Sequence, residues 1–370
     1  MIFHYAVPSY ETMIAGEWPM KAKTIGQLAR LTVLGTAMAA AFGAQAQSNG
    51  VLNLYSARHY QTDEQLYGTF TKQTGIKINR IEADDAALLE RLKSEGAKSP
   101  ADVILMVDAA RLAKADEAGL FQPTRSATLD ARIPAKLHAA STPSGTDWYG
   151  FSTRARVIVY NKEKVDPKSV QTYASLADPK HKGQVCTRSG SHPYMLSLVG
   201  ALIARDGAQA TQKWAEGMVA NFARAPRGGD TDQIKAVATG ECGVALANSY
   251  YYVRMARSEK PEDKALMSKV GFIWPDQAGK GTHVNVAGAG IAKHAPNHAN
   301  AVKFLEYLAS DEAQQYFANG NNEWPAVPTT KVDNPALASL GEFKAEDVPI
   351  GTIAKNLPEA QRILDRAGYK

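Results

Sequence analysis

Three consecutive tyrosines, Tyr250, Tyr251 and Tyr252, follow Asn248 and Ser249. Adjacent residues of an α-helix point about 100° apart, because there are 3.6 residues per turn. One apolar face therefore cannot bury all three rings. At the first turn of a helix, two neighbouring side chains can still converge on a point in the preceding loop. A phenolate is a hard, anionic oxygen donor, and two or more of them suit a hard, highly charged cation such as Fe(III). For any single ring, ordinary packing in a core or at its rim is the competing explanation.

Two more junctions carry similar residues. His59 and Tyr60 follow an apolar segment at 51–55 and precede a predicted helix. Tyr194 lies in Ser191-His192-Pro193-Tyr194, after a predicted strand at 184–187, and Pro193 suits the first turn of a helix. Tyr250 and Tyr251 follow a short predicted strand at 243–247, with Ser249 as the expected N-cap. Three strand-to-helix junctions thus hold Tyr60, Tyr194, Tyr250, Tyr251 and His59. Helix N-termini favour anions, which helps to keep a phenolate ionised. His192 and Tyr252 are read as structural or solvent-facing, and Arg58 and Arg188 as ordinary surface charges.

The elements that must position these residues follow from hydrophobic period. Residues 51–55 read as a buried strand, and Thr62 with Gln65 fits a capping box ahead of Leu66, Tyr67 and Phe70. Ile76, Ile78 and Ile81 mark a second strand, Asp84 or Asp85 starts a helix, and residues 103–106 form a third strand. This β-α-β-α-β order predicts a parallel sheet with covering helices. Extended segments at 149–160 and 283–291 enclose helical patterns at 193–204, 207–221 and 230–238. Helices are expected again at 298–308, 311–318 and 357–367. Gly-rich 287–290 opens no helix and is rejected as a nucleotide loop. Two long extended segments flanking a middle block suggest a chain that crosses twice between two lobes, with ligand held in the cleft at the carboxyl ends of strands.

The N-terminus predicts export. A basic stretch from Met20 to Arg30, an apolar run at 31–42 and Ala44-Gln45-Ala46 read as a signal peptide cleaved after Ala46. Residues 1–19 do not fit that pattern, so Met1 and Met20 both stand as possible starts. The apolar run is short for a membrane span, which needs about 20 residues. Of the 370 residues, 47–370 remain after cleavage, a length that favours two domains. Cleavage removes three cations and two anions and lowers the formal charge from +5 to +4. That charge is scattered, with no Lys/Arg block of the kind that binds nucleic acid. Cys186 and Cys242 both lie in the exported part. In an oxidising compartment a disulfide is the expected outcome, with two separate buried thiols as the alternative.

The chain resembles the periplasmic ferric-ion-binding proteins of iron ABC transporters, in the subgroup with cyanobacterial and Campylobacter-type members. The resemblance is carried by Tyr55-Ser56-Ala57-Arg58-His59-Tyr60, Ala101-Asp102-Val103, Val107-Asp108-Ala109-Ala110-Arg111-Leu112 and Arg154-Ala155-Arg156-Val157-Ile158-Val159-Tyr160-Asn161. It continues through Ala247-Asn248-Ser249-Tyr250-Tyr251, Gly281-Thr282-His283-Val284-Asn285 and residues 310–320, and so covers essentially the whole exported part. It implies that Tyr60, Tyr194, Tyr250 and Tyr251 are iron ligands, that His59 matches a position that is a fifth ligand in some members, and that Arg154 lies near the metal, bonding a phenolate or holding an anion. Tyr252 departs from the family, which usually has an aliphatic residue there.

The fold implied is α/β: a two-lobed periplasmic-binding-protein clamshell of type II, each lobe a mixed sheet flanked by helices, with two hinge crossovers. Residues 47–149 with 281–330 form the first lobe, and 150–280 with 331–370 the second. The function implied is capture of Fe(III) in the interlobe cleft by a monomer in the periplasm, without catalysis, and delivery to an inner-membrane ABC permease. Carbonate or another small anion is the group that could accompany the metal. The alternative is a binding protein of the same fold for a polyamine, thiamine or a sugar phosphate, whose rings or charges aromatic side chains would meet. No G-x-S-x-G, H-E-x-x-H or Cys–His pairing supports an exported enzyme.

Overall fold

The computed structural model describes residues 50–370 apart from His59 and Gln61. The predicted signal peptide and the His59 assignment therefore lie outside the described residues. The first third of the chain runs β1 (Val51–Ser56), α1 (Asp63–Thr74), β2 (Lys77–Glu82), α2 (Asp85–Glu95), β3 (Val103–Met106), α3 (Ala109–Glu117), β4 (Phe121–Gln122) and α4 (Ala127–Arg132). β1 pairs in parallel with both β2 and β3, as the β-α-β-α-β pattern predicts. All four residues of β3, Val-Ile-Leu-Met, are buried, which fits a strand covered on both faces. β2 has no fully buried residue and forms the sheet edge, where Lys77 and Arg80 deter further pairing.

The middle of the chain contains β5 (Tyr149–Asn161), β6 (Val185–Cys186), α5 (Pro193–Asp206), α6 (Ala208–Ala220), α7 (Asp230–Thr239), β7 (Val244–Asn248), α8 (Ser249–Ala256), α9 (Pro261–Met267) and β8 (Val270–Ile273). The remainder is β9 (Val284–Ala292), α10 (His298–Leu308), α11 (Asp311–Asn321), β10 (Trp324–Pro325), α12 (Pro335–Ala338) and α13 (Ile350–Arg366). The strand order is β2-β1-β3-β9-β5-β7-β6, with β4 on β9 and β8 and β10 on β5. Residues Tyr149 to Ala155 of β5 pair antiparallel with β9, while Arg156 to Tyr160 pair with β7. The long strand β5 thus hands the sheet from one group of strands to the other. Gly288 and Gly290 sit inside β9, not in a loop. A Cβ at either would fall within 2.6 Å of a backbone oxygen, that of Tyr149 or Asp147, so close strand approach requires glycine here.

One core cluster packs around β1, β3 and β9, with Leu54, Phe70, Ile104, Ile291, Phe304 and Phe317 buried. A second gathers Ile158, Met195, Leu198, Trp214 and Leu246. α13 joins them: Ile350 and Ile353 belong to the first, and Leu357, Ala360, Ile363 and Leu364 to the second.

Several local expectations need correction. Thr62 precedes α1 in a helical conformation and makes no side-chain cap. Asn248, not Ser249, is the N-cap of α8; Ser249 begins the helix, and its hydroxyl accepts from the Ala155 amide at 3.3 Å. α13 starts at Ile350 rather than 357, because its buried apolar stripe carries the helix through Pro358.

Candidate metal site

Each candidate tyrosine stands where a strand gives way to a helix. Tyr60 lies between β1 and α1, Tyr194 is the second residue of α5, and Tyr250 and Tyr251 lie in the first turn of α8. His192 caps α5 through its ring, accepting from the Tyr194 amide at 3.2 Å. Burial and the neighbouring Arg188 hold its imidazole down at about 3, so it stays neutral. The start of α8 is fixed by Asp230, whose Oδ2 accepts from the Asn248 amide at 2.7 Å and from Arg156 at 2.6 Å. Arg188 reaches the other oxygen of Asp230 at 3.1 Å.

These supports bring phenolic oxygens together. The Tyr250 hydroxyl lies 3.3 Å from that of Tyr60 and 3.2 Å from that of Tyr194. The two helices α5 and α8 and the β1–α1 connection thus deliver three oxygens to one place. The Tyr251 ring lies against the Tyr250 ring, with centroids 4.3 Å apart. Tyr250 is fully buried and Tyr194 nearly so, whereas Tyr251 is half-buried. Tyr252 points elsewhere and packs on Phe272 at 5.1 Å. Burial, reinforced by neighbouring tyrosines, pushes the Tyr194 and Tyr250 hydroxyls well up, and burial with the Glu323 charge pushes that of Tyr60 up as well. Without a cation all three are neutral and share protons among themselves.

Arginines surround this cluster. Arg58 stands 5.0 Å from the centroid of the Tyr60 ring and Arg154 stands 5.7 Å from that of Tyr250. Arg188 lies 4.9 Å from the Tyr194 centroid. Arg254, one turn along α8, lies 5.5, 5.7 and 5.4 Å from the rings of Tyr60, Tyr250 and Tyr251. Arg58 is no surface charge. It is 1% exposed and binds Asp63 through two nitrogens, at 2.9 and 3.0 Å, and Glu323 through a third, at 3.1 Å. Arg188 is also largely buried, as a partner of Asp230. Both depart from their sequence reading because Glu323 and Asp230, distant in sequence, come to meet them, with Asp63 a nearer partner of Arg58. Glu323, which also pairs with Arg154, is a residue that sequence reasoning missed. Burial alone would raise its carboxyl, but Arg154 and Arg58 outweigh burial and hold it at about 2. Among the described residues no three or more His, Cys, Asp or Glu side chains form a metal-binding group. The donors that do converge are phenolic oxygens, a set matched to a hard cation.

The profile of the bacterial extracellular solute-binding proteins matches residues 65–345. Iron uptake protein A1 of Synechocystis sp. is 50% identical over 319 residues, 86% of this chain and 87% of that protein. The chain belongs to the bacterial extracellular solute-binding proteins. Within that family it falls among the ferric-iron-binding members. The Trichodesmium protein IdiA (FutA), solved in complex with iron and citrate ligands, has 50% identity and a TM-score of 0.81, over 87% of this chain and all of that one. The ferric binding protein of Campylobacter jejuni has 36% identity and the same TM-score, over 86% of this chain and all of that one. The mixed α/β sheet described above is thus the fold of ferric-binding proteins of the periplasmic-binding-protein type. Solute-binding proteins of this kind hold a ligand and do not transform it.

Proposed function

We propose that this solute-binding protein captures Fe(III) through the phenolates of Tyr60, Tyr194, Tyr250 and Tyr251 and delivers it to an ABC permease in the inner membrane. The observation that carries the reading is the convergence of the Tyr60 and Tyr194 hydroxyls on that of Tyr250, at 3.3 and 3.2 Å. His59, next to Tyr60, is the fifth ligand in this reading. Export by the N-terminal segment and work in the periplasm as a monomer complete it.

The chemistry follows from the protonation state. Buried neutral tyrosines must lose their protons to the metal's charge, so binding releases protons and weakens in acid. Four phenolates overcompensate a trivalent ion by one charge. Arg154, held by the Val107 carbonyl at 2.8 Å and by Glu323, stands beside Tyr250 to offset that excess. Any accompanying anion, carbonate among them, would be met by Arg254, which is exposed and has no carboxylate partner among the described residues.

Tyr60 belongs with β1, and the other three tyrosines with the strands beyond the crossover in β5. In the two-lobe reading, residues 47–149 with 281–330 face residues 150–280 with 331–370 across a cleft. β5 and β9 are then the two hinge strands. Iron would staple the lobes together, the hinge closure of periplasmic binding proteins, and the closed form would dock on the permease. The test is metal analysis and a visible spectrum of protein purified from periplasm. Bound iron with a phenolate charge-transfer band is expected. A colourless protein that takes up no Fe(III) would overturn the reading.

A further inference from the structure

We propose that Glu323 is a positioning residue that limits how tightly the site holds its metal. Its carboxylate is a built-in counter-charge to the two arginines that face the tyrosines. The inference rests on the four-phenolate reading above and adds to it the control of affinity.

Glu323 is rigidly placed. It is fully buried, follows Asn322, whose φ of 60° ends α11 in a left-handed turn, and precedes β10, which is paired to β5. Its Oε2 accepts from Arg58 at 3.1 Å and from Asn321 at 2.7 Å, and its Oε1 pairs with Arg154. Asn321 in turn accepts from Arg254 at 3.3 Å. Three arginines that lie against the Tyr60, Tyr250 and Tyr251 rings therefore converge on Asn321 and Glu323. With both oxygens engaged, Glu323 is not disposed to ligate a metal itself.

The sign of its effect follows from charge. Loading Fe(III) onto four neutral tyrosines, with loss of four protons, changes the site by one negative charge. Nearby positive charge stabilises the loaded state, and nearby negative charge destabilises it. Arg58 and Arg154 act in the first sense, and Glu323 cancels part of their field. Both arginines keep other anchors if its charge is removed: Arg58 has two bonds to Asp63, and Arg154 has the Val107 carbonyl. Neutralising Glu323 therefore removes charge without releasing the arginines. A carrier that must surrender its cargo gains from such a limit.

The test is Glu323→Gln, with Fe(III) affinity measured by competition with citrate at pH 8 and read from the visible band. The expected result is an intact band and binding about tenfold tighter, the size of effect one close charge has on an ionising group. Glu323→Asp, which keeps the charge, should bind within about twofold of wild type. Damage to the fold loosens a site, so tightening is a result that a merely structural role would not give. Folded Glu323→Gln that binds no tighter than wild type would overturn the inference while leaving the tyrosine reading intact. If Glu323→Gln does not fold, Asp63→Asn removes the other carboxylate on Arg58. Tighter binding by that variant supports the inference, and equal or weaker binding overturns it. Wild-type protein that binds no coloured iron would instead overturn the reading beneath it.

Discussion

At the scale of single residues, the adjacent tyrosines divide by direction. Tyr250 and Tyr251 stack on one another beside Tyr60 and Tyr194, while Tyr252 leans on Phe272. Tyr→Phe keeps the ring and deletes only the donor oxygen. Tyr250→Phe and Tyr251→Phe should each shift or abolish the visible band and weaken Fe(III) binding about 100-fold, or about 3 kcal/mol. Tyr252→Phe should change neither, and a spectral titration of the three variants checks the register of the pair. Glu323 supplies a prediction of a different kind. Its carboxyl is depressed to about 2 in the folded protein, against about 4.3 for a free glutamate. A depressed carboxyl stabilises the fold above the unfolded value, and that stability is lost as pH falls from there through about 2. Glu323→Gln removes the carboxylate charge facing two buried arginines that keep their other anchors, a change that costs up to about 3 kcal/mol. Metal-free wild type should therefore be more stable than Glu323→Gln at pH 6. The gap should close as pH falls toward 2, as urea midpoints measured between those limits would show.

At the scale of elements, the tyrosines are placed by short strands whose positions depend on long-range ties. Cys186 and Cys242 are disulfide-bonded, which resolves the choice left open by the sequence. The bridge joins β6, ahead of Tyr194, to the turn before β7, ahead of Tyr250. The bonded residues are 56 apart in sequence, for which loop-closure entropy gives about 4 kcal/mol. Cys186→Ser with Cys242→Ser should lower the unfolding free energy by up to that amount. The variant should still bind iron in its folded state, since neither sulfur is among the proposed donors. Chemical denaturation with and without iron separates the two effects. The strand and helix pattern was legible because each element carries its own period: β3 is continuously apolar, and α10 and α11 fall where their stripes do. The tyrosine junctions were legible for the same reason, since each lies at the end of such an element. Glu323 and the burial of Arg58 were not. Their partners are 265 residues apart, and an isolated Glu after Asn-Asn has no local signature. Arg254 was missed likewise: its ring contacts come from helix geometry combined with the return of Tyr60 to the same place.

At the scale of the whole molecule, the question is what draws Tyr60 to the other three tyrosines. Several ties besides the phenols join the segments assigned to the two proposed lobes: Arg154 reaches the Val107 carbonyl and Glu323, and Arg254 reaches Asn321. Ser197 on α5 donates to Asp108 ahead of α3 at 2.6 Å, and Asn285 on β9, on the same side as Asp108, fixes its other oxygen at 2.8 Å. α13 also spans both main cores. Hydrogen bonds of this kind contribute about 1 kcal/mol each, or somewhat more when one partner is charged. In the two-lobe reading these ties share the work of closure with the metal, which is expected to supply the balance. Tyr60→Phe isolates this contribution. Tyr194, Tyr250 and Tyr251 stand together beyond the crossover in β5, so the variant should still bind Fe(III) and keep a visible band, though a weaker one. It should lose the link across the cleft. Small-angle X-ray scattering should then show wild type contracting when iron is added and Tyr60→Phe remaining extended at iron saturation. Equal contraction in both proteins would mean that closure does not run through Tyr60, and no contraction in either would mean that the protein's own ties already hold the cleft shut.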